Sequence, residues 1–407
     1  MKWLYRCPAC GATYAIEPGR YLCDVCARKN KPGIPLEGVL ECVWEREAGD
    51  PPAGGASPCG LGMAGIPLPV EAESFPPLPV GETPLWQPSR LREALRVPNL
   101  YLKDDTCNPS GSYKDRASWL VAAFARKFGL KEIALASTGN AASSMACVGA
   151  AAGLKVTVFL PASAPAAKRV QVLQYGAELR EVQGTYDQAF DESLAYSAAS
   201  GVLSRNTAYN PLTIEGKKTA SFEIARDLGR ALAPASRADA VATYIAPDHV
   251  FVPTGDGVIL AGVIKGFEDM LRLGLTTKMP TFWTAQAEGS SAIARALATG
   301  GFEERPSDTI ADSISVDVPR NGGFVLAKLR KYGGKGVTVN DEEILAAQRM
   351  LSSMSGLFAE PSSACAFACY LKAKASIPRD ESVVVMLTGS GLKDIKSAAK
   401  AVGARLS

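Results

Sequence analysis

Short apolar runs rich in β-branched residues alternate with helix-like stretches from about residue 97 onward. Longer polar-apolar stretches, such as the one over 141–153, follow the runs and have the spacing of helices. This alternation predicts an α/β fold of parallel sheets covered by helices on both faces, with a ligand at the carboxyl ends of the strands. The clearest predicted strands are EIALAS (132–137), KVTVFLP (155–161), HVFVPT (249–254), TFWTAQ (281–286) and SVVVMLT (382–388).

Composition limits the class of protein. The 407 residues are 47% apolar and 21% charged, which is typical of a globular chain of more than one domain. The net charge of +3 gives no reason to expect nucleic acid or a membrane surface as a partner. The chain lacks an apolar run of membrane-spanning length and a secretory leader, so we expect a cytoplasmic protein.

The chain contains one histidine, His249. This count excludes Ser-His-Asp triads and Cys-His dyads unless His249 itself serves in them, and it excludes sites that need several histidines around a metal. The chemistry must therefore come from lysine, carboxylates, hydroxyls, backbone amides or a bound cofactor. A cofactor enzyme or a protein without catalysis is favoured.

Four cysteines near the N-terminus have the spacing of a zinc ribbon. They form two Cys-x-x-Cys pairs separated by GATYAIEPGRYL, a segment that predicts two short strands around a Pro-Gly turn. Two such pairs converge on one tetrahedral ion, and four thiolates close the site, so we expect structural zinc. The predicted ligands are Cys7, Cys10, Cys23 and Cys26.

Three predicted strands end in turns rich in glycine and hydroxyl residues. These turns are Ser137-Thr138-Gly139-Asn140-Ala141, Thr254-Gly255-Asp256-Gly257-Val258 and Thr388-Gly389-Ser390-Gly391. Each is predicted to place backbone N–H groups at a helix N-terminus, where anions are favoured. One such turn has little weight, but three at the ligand edge indicate an anionic cofactor and an anionic substrate.

A fourth turn, Asn108-Pro109-Ser110-Gly111, leads to Lys114 and then to a predicted helix. The positive end of the helix dipole disfavours the ammonium form of an amine there. A lysine must be in the neutral form in order to act as a nucleophile. The alternative is a solvated surface lysine beside Asp115 and Arg116, and the residues alone do not decide between the two.

The motifs NPSGSYKDR, STGNAASS, PTGDG and LTGSGLKD resemble, in this order, those of fold-type II pyridoxal-phosphate enzymes, the tryptophan-synthase-β group. The cysteine ribbon and the closing TGxGLKD resemble those of threonine synthases in particular. The resemblance implies two doubly wound parallel-sheet domains: a large cofactor-binding domain (97–130 and 215–407) and a small one (131–214). A ribbon segment (1–35) and a Pro/Gly-rich connector (36–96) would precede them.

The resemblance also implies roles for individual residues. Lys114 would hold pyridoxal 5'-phosphate covalently, Asn140 would contact the ring hydroxyl and Thr388 the pyridine nitrogen. A hydroxyl partner does not keep that nitrogen protonated, which favours elimination and replacement over transamination. The cofactor phosphate would be bound by Gly255, Asp256, Gly257 and Val258, and the substrate carboxylate by Ser137, Thr138, Asn140 and Ala141.

Two positions depart from the family pattern. The phosphate loop is shorter than the usual GNxGN form, so the Asp256 carboxylate must point away into a neighbouring helix N-cap or be paired. Where many members carry an arginine that clamps the substrate phosphate, this chain has Thr213. Arg205 or Lys217 is expected to replace it.

The leading hypothesis is therefore the conversion of O-phosphohomoserine and water to threonine and phosphate, by a homodimer. A second hypothesis keeps the cofactor and changes the substrate, as in a cysteate-synthase-like β-replacement or a threonine or diaminopropionate ammonia-lyase. A third is a ribbon-bearing binding protein without catalysis, against which the near-neutral charge and the intact lysine and glycine turns argue.

Overall fold

The computed structural model describes residues 1–45, 66–162, 166–233 and 243–404. Residues 46–65 of the predicted connector lie outside these ranges. None of the helices in the described ranges has both the length and the apolar character needed to cross a membrane. Two helices begin with capping boxes that are readable in the sequence, at Thr185 with Gln188 and at Asn340 with Glu343.

The strands of the described residues are β1 (Lys2–Arg6), β2 (Thr13–Tyr14), β3 (Glu41–Glu45), β4 (Leu85–Trp86), β5 (Leu100–Asp104), β6 (Glu132–Ala136), β7 (Lys155–Pro161), β8 (Glu178–Val182), β9 (Leu203–Ser204), β10 (His249–Pro253), β11 (Thr281–Ala287), β12 (Lys335–Val339) and β13 (Val383–Leu387). The helices are α1 (Ser89–Leu95), α2 (Lys114–Lys127), α3 (Asn140–Ala152), α4 (Ala166–Gln174), α5 (Tyr186–Ser200), α6 (Leu212–Glu215), α7 (Thr219–Leu232), α8 (Val258–Arg272), α9 (Ala292–Thr299), α10 (Gly322–Lys331), α11 (Asp341–Ser355), α12 (Pro361–Ala373) and α13 (Ile395–Val402).

The chain divides into two compact units, of which unit 1 comprises Met1–Asn30, Leu36–Glu82 and Asn108–Thr219. Its main sheet has the order β8-β7-β6-β9 and is parallel throughout. A small antiparallel sheet, β2-β1-β3, carries the cysteine segment. Helix α2 packs against α3.

Unit 2 comprises Lys31–Pro35, Thr83–Cys107 and Ala220–Ser407. Its sheet has the order β12-β11-β10-β13-β5-β4 and is parallel except for the short edge strand β4. Strands β10 and β13 are neighbours, so the turns that follow them lie at the same edge of the sheet. Helix α12 is buried along one face of this sheet, where its Phe367 and Tyr370 join the apolar core.

The predicted α/β class with parallel sheets is confirmed, and the five predicted strands are present within one or two residues of their expected ends. They were recognisable because both faces of a central parallel strand are buried, which makes the sequence continuously apolar. The compact units group the chain differently from the predicted domains, since residues 108–130 lie in unit 1 together with 131–214. The predicted domain boundaries therefore stay a proposal.

Two local predictions were wrong. The cysteine segment contains β2 but not a second strand after the Pro-Gly turn, where Leu22 forms only an isolated bridge with Val39. The turn that begins at Thr388 leads into one short 3-10 turn and not into an α-helix, because the backbone of Asp394, at φ −141° and ψ +67°, leaves the helical region directly after it. Helix α13 begins only at Ile395.

Candidate active site and metal centre

The four N-terminal cysteines come together in unit 1. Their sulfur atoms all lie within 4.8 Å of one another. A tetrahedral zinc ion with bonds of about 2.3 Å would hold its sulfur ligands about 3.8 Å apart. The Sγ atoms of Cys7 and Cys26 are 3.8 Å apart, and those of Cys10 and Cys23 are 3.6 Å apart. The donor set and its spacing therefore fit a zinc ion, and the Tyr14 hydroxyl donates to the Cys23 sulfur over 3.2 Å.

Lys114 is the first residue of α2. In the stretch from Ser112 to Ala125 it is the one residue that is not buried. The preceding turn is closed by the Gly111 N–H donating to the Asn108 carbonyl, with Gly111 at φ +77°. Lys114 is therefore the partly accessible residue of an otherwise buried stretch, and its role as the nucleophile stays a prediction.

Asp115 stabilises the turn that leads to Lys114. Its carboxylate accepts from the Ser110 N–H over 2.7 Å and from the Ser110 hydroxyl over 2.5 Å. Tyr113, fully buried, donates its hydroxyl to the Lys217 carbonyl over 2.6 Å and links the turn to the segment that precedes α7. The position of the lysine backbone is thus determined from both sides.

The turn after β6 joins the strand to α3. The Ser137 hydroxyl accepts from the N–H groups of Gly139 and Ala142, over 3.2 Å and 3.3 Å. Asn140, the first residue of α3, is 8% exposed, whereas Thr138 is partly exposed. Unit 1 thus has a helix N-terminus with accessible polar groups at the end of a parallel strand, as expected for an anion site.

Arg205 lies inside unit 1, next to helices α2 and α3. Its Nε donates to the Ser118 hydroxyl over 3.2 Å, and Ser118 in turn accepts from the Ser144 hydroxyl. Ser118 is one turn after Lys114 on α2, and Ser144 is one turn after Asn140 on α3.

The guanidinium of Arg205 forms no salt bridge within the described residues, where the Asp115 carboxylate interacts with it only at longer range, and its Nη2 is buried without a hydrogen-bond acceptor there. Burial lowers the pKa of Arg205 to about 10, so the group stays protonated at neutral pH. Its Nη1 donates to the hydroxyl of Thr207, a partly exposed residue, over 2.7 Å. One hydrogen bond therefore connects this buried positive charge to a partly exposed hydroxyl.

The position that lacks the expected arginine is enclosed, and so is Lys217, the other residue predicted to bind the substrate phosphate. Thr213 is fully buried and donates its hydroxyl to the Asn210 carbonyl over 2.7 Å, which leaves it inside the helical turn. Lys217 is also fully buried. The segment between Arg205 and Thr213 contains a non-glycine residue in the left-handed region, Ala208 at φ +68°. Strained backbone of this kind is common at functional sites.

In unit 2, the loop after β10 leads into α8. The N–H groups of Gly255, Asp256, Gly257 and Val258 are not paired with any acceptor in the described part of the chain. A 15-residue helix with unpaired N–H groups at its beginning is favourable for a phosphate group. The loop therefore fits the phosphate of the predicted cofactor.

The glycines of this loop are required by packing. Gly257 has φ +84°, and a Cβ there would lie 2.6 Å from Val325 Cγ1. A Cβ at Gly255 would lie 2.9 Å from the Ile314 Cα. The carboxylate of Asp256 accepts from the Arg320 N–H over 3.0 Å, just before α10 begins, so it is turned to a neighbouring helix start as expected.

Thr388 follows β13, next to that loop at the same sheet edge. Its hydroxyl lies 3.2 Å from the hydroxyl of Ser363, a residue of α12 that the sequence did not indicate. Helix α12 could have been recognised from Pro361 at its beginning, but no spacing in the sequence relates position 363 to 388. Thr207, Ser118 and Ser144 were missed for the same reason.

His249, the histidine of the chain, is buried at the beginning of β10. The Trp283 Nε1–H donates to His249 Nδ1 over 3.1 Å. Its Nε2 is 2.6 Å from a Glu381 carboxylate oxygen. Both ring nitrogens of this buried residue thus have partners within unit 2.

The chain is similar to known proteins in sequence and in structure. Residues 77–389 match the family described as pyridoxal-phosphate dependent enzyme. A threonine synthase of Methanosarcina acetivorans is 33% identical over 96% of this chain and 92% of its own length. A threonine synthase of Methanocaldococcus jannaschii is 32% identical over 98% and 95%. The structure of processed threonine deaminase isoform 2 from Solanum lycopersicum superposes with a TM-score of 0.64 at 22% identity, covering 79% of this chain and 88% of that one, which shows the fold.

Proposed function

We propose a substrate and residue roles for this chain, which belongs to the family of pyridoxal-phosphate-dependent enzymes and, within it, to the threonine synthases. The proposed reaction converts O-phosphohomoserine and water into threonine and inorganic phosphate. The observation that carries the proposal is the 33% identity to a threonine synthase across 96% of the chain. The structures of threonine deaminase from Solanum lycopersicum and of diaminopropionate ammonia lyase from Escherichia coli share the fold at under 25% identity. They therefore give less support to the alternative substrates.

When bound, pyridoxal phosphate supplies the electron sink for the bonds that change at the substrate's α-, β- and γ-carbons. Lys114 Nζ would hold the cofactor covalently and would then take up and return protons at those carbons. The N–H groups of residues 255–258, which have no acceptor within the described residues, would bind the cofactor phosphate. Thr388 would contact the pyridine nitrogen and Asn140 the ring hydroxyl. The position of Lys114 supports this assignment, because its side chain stays partly accessible at the beginning of α2 while its neighbours in the helix are buried.

The substrate would be bound as a dianion. The turn Ser137–Ala141 receives its carboxylate, since Ser137 and Thr138 are partly exposed at the beginning of α3. The charge of Arg205, directed through the Thr207 hydroxyl, stabilises the substrate phosphate. This indirect arrangement would replace the arginine clamp that is missing at Thr213, and the enclosed Lys217 is the second candidate in the same segment.

The cysteine cluster would bind one structural zinc ion, since its four sulfurs have tetrahedral spacing and no fifth ligand position is needed. We further propose that the protein acts in the cytoplasm as a homodimer. Both statements are what the resemblance to threonine synthases implies.

A substrate panel tests the proposed reaction. The purified protein is offered O-phosphohomoserine, O-phosphoserine with sulfite, threonine or diaminopropionate, and release of phosphate, threonine, cysteate and keto acid is measured. We expect equal amounts of threonine and phosphate from the first compound. Absence of turnover there, or turnover of another compound in its place, contradicts the proposal.

A lysine variant tests the cofactor assignment. Lys114→Ala should abolish both turnover and the visible absorbance of the bound cofactor, because the covalent link is lost. Lys131→Ala, at an exposed lysine of the same unit, is the matched control and should retain both. Visible absorbance that survives in Lys114→Ala after dialysis would show that another residue holds the cofactor.

A further inference from the structure

Ser363 lies in the first turn of α12 and is fully buried. Its Oγ accepts from the Thr388 N–H over 2.9 Å and from the Gly389 N–H over 2.8 Å. It also lies 3.2 Å from the Thr388 hydroxyl and 3.2 Å from the Gly389 carbonyl. One serine hydroxyl thus meets four polar groups of the turn that follows β13.

The number of donors and acceptors determines the direction of these bonds. A serine hydroxyl has one proton and two acceptor positions. Backbone N–H groups can only donate, so those of Thr388 and Gly389 occupy both acceptor positions of Ser363. Ser363 must then use its own proton as a donor, and it has no position left to accept a proton from Thr388.

The proton of the Thr388 hydroxyl therefore points away from Ser363. Within the described residues, Ser363 is the polar neighbour within hydrogen-bonding distance of that hydroxyl. We infer that Ser363 is a positioning residue that makes Thr388 a committed hydrogen-bond donor toward the pyridine nitrogen of the cofactor. This inference rests on the proposed function. A committed donor favours an unprotonated nitrogen, since a protonated one would bring two protons together.

The backbone around Ser363 holds it in this position. The Glu360 N–H donates to the Gly389 carbonyl over 2.9 Å, and Ala359 forms a bridge with Ser390. Gly389 permits this approach, because a Cβ there would lie 2.5 Å from the Glu360 carboxylate. The start of α12 and the end of β13 are thus attached to each other at several points, which leaves the Ser363 hydroxyl little freedom.

The test uses the holoenzyme loaded with pyridoxal phosphate labelled with nitrogen-15 in the ring. In the wild type at neutral pH, the nitrogen signal should have the position of an unprotonated pyridine. In Ser363→Ala, Thr388 can turn, so the signal should move toward the protonated position. We expect kcat to fall about three- to tenfold, the effect of one hydrogen bond, with KM nearly unchanged.

Ser362→Ala is the matched control. Ser362 is equally buried in the same helical turn, but its hydroxyl accepts from the Ser313 N–H over 3.0 Å and does not contact Thr388. That variant should leave the nitrogen signal in place. Ser363→Thr, which keeps the hydroxyl, should restore the wild-type signal, and Thr388→Val should move it as Ser363→Ala does.

The outcomes separate this inference from the proposed function. A signal that moves in Thr388→Val but stays in Ser363→Ala overturns the inference and leaves the reaction intact. A signal that moves equally in Ser362→Ala shows a general packing effect and also overturns it. Failure of the wild type to bind the labelled cofactor refutes the proposed function itself.

Discussion

At the scale of single residues, the candidate site depends on polar groups that are enclosed. Arg205 is an example, because a buried guanidinium without a salt bridge is costly for the folded state. Replacing a buried charge by an apolar side chain of similar volume is often neutral or stabilising. Under the proposed function, binding of an anionic substrate would be the reason other than stability for such an arginine.

Arg205→Met should therefore raise the stability of the protein or leave it unchanged, and it should weaken the binding of the substrate. We expect the KM for O-phosphohomoserine to rise about tenfold, since a hydrogen bond to a charged group contributes about 1.5–3 kcal/mol. Thr207→Val should have part of the same effect, because Thr207 is the group to which Arg205 donates. Urea unfolding and steady-state kinetics measure both quantities. Arg180→Met, at a partly exposed arginine of unit 1, is the control, and an unchanged KM in Arg205→Met would contradict the role.

Glu268 gives the protein a defined sensitivity to acid. Burial alone raises the pKa of its carboxyl, but the charge of Lys328 and hydrogen bonds from Lys328 and Tyr332 outweigh burial and lower it. A lowered pKa in the folded state means that the stabilisation is complete above the ordinary value of about 4.3. It is lost as the pH falls through the folded pKa.

Glu268→Gln should lower the free energy of unfolding at pH 7 by about 1–3 kcal/mol, since buried partners lose their acceptor. The difference from the wild type should shrink as the pH falls below the ordinary pKa of about 4.3 and through the lowered folded pKa, because Glu268 of the wild type then becomes protonated as well. Urea unfolding across this range measures it. Glu303→Gln, at an exposed carboxylate paired with Arg305, should stay within about 0.5 kcal/mol of the wild type at every pH.

At the scale of elements, turns and close approaches decide where the polar groups lie. The segment from α6 to α7 approaches α2 so closely at Gly216 that a Cβ there would lie 2.4 Å from the Arg116 carbonyl oxygen. A backbone carbonyl cannot rotate away as a side chain can. Position 216 thus sets the distance between α2, which begins with Lys114, and the segment that contains Lys217.

Gly216→Ala should destabilise the protein by about 1–3 kcal/mol, the usual cost of overpacking. It should also reduce cofactor binding, because α2 is displaced. Gly323→Ala is the matched control, since a Cβ at Gly323 meets nothing within 4 Å and alanine is the better helix former. Thermal unfolding and titration with pyridoxal phosphate measure the effects. Equal behaviour of the two variants would show that the close approach at Gly216 is not required.

At the scale of the whole molecule, the cysteine cluster supports a part of unit 1 that is distant in sequence. The Tyr21 hydroxyl, two residues before Cys23, accepts from the Ser204 N–H over 2.8 Å, next to Arg205. The Tyr21 ring also lies 4.9 Å from the ring of Tyr209. Loss of the metal should therefore loosen the segment that we propose for the substrate phosphate.

Metal analysis of the purified protein should find about one zinc per chain, since four thiolates complete one tetrahedral site. Removal by a chelator, or Cys10→Ser, should lower the unfolding temperature and raise the KM for O-phosphohomoserine. Cys107→Ser, at an exposed cysteine outside the cluster, should retain the metal. A protein that is equally stable with and without metal would contradict a structural role.

The sequence by itself determined the class of fold, the central strands, the start of the helix at Lys114, the cysteine cluster and the turns after β6 and β10. These features follow from local patterns, since buried parallel strands are apolar, thiol pairs have fixed spacing and glycine marks turns with few alternatives. The tertiary structure alone decided which polar groups meet. Ser363 lies beside Thr388, Arg205 beside Ser118 and Thr207, and the turn after β13 ends in a short 3-10 turn. The physical reason is that hydrogen bonds between remote segments depend on differences of a few tenths of an ångström in how those segments pack. Such differences leave no periodic signal in the sequence.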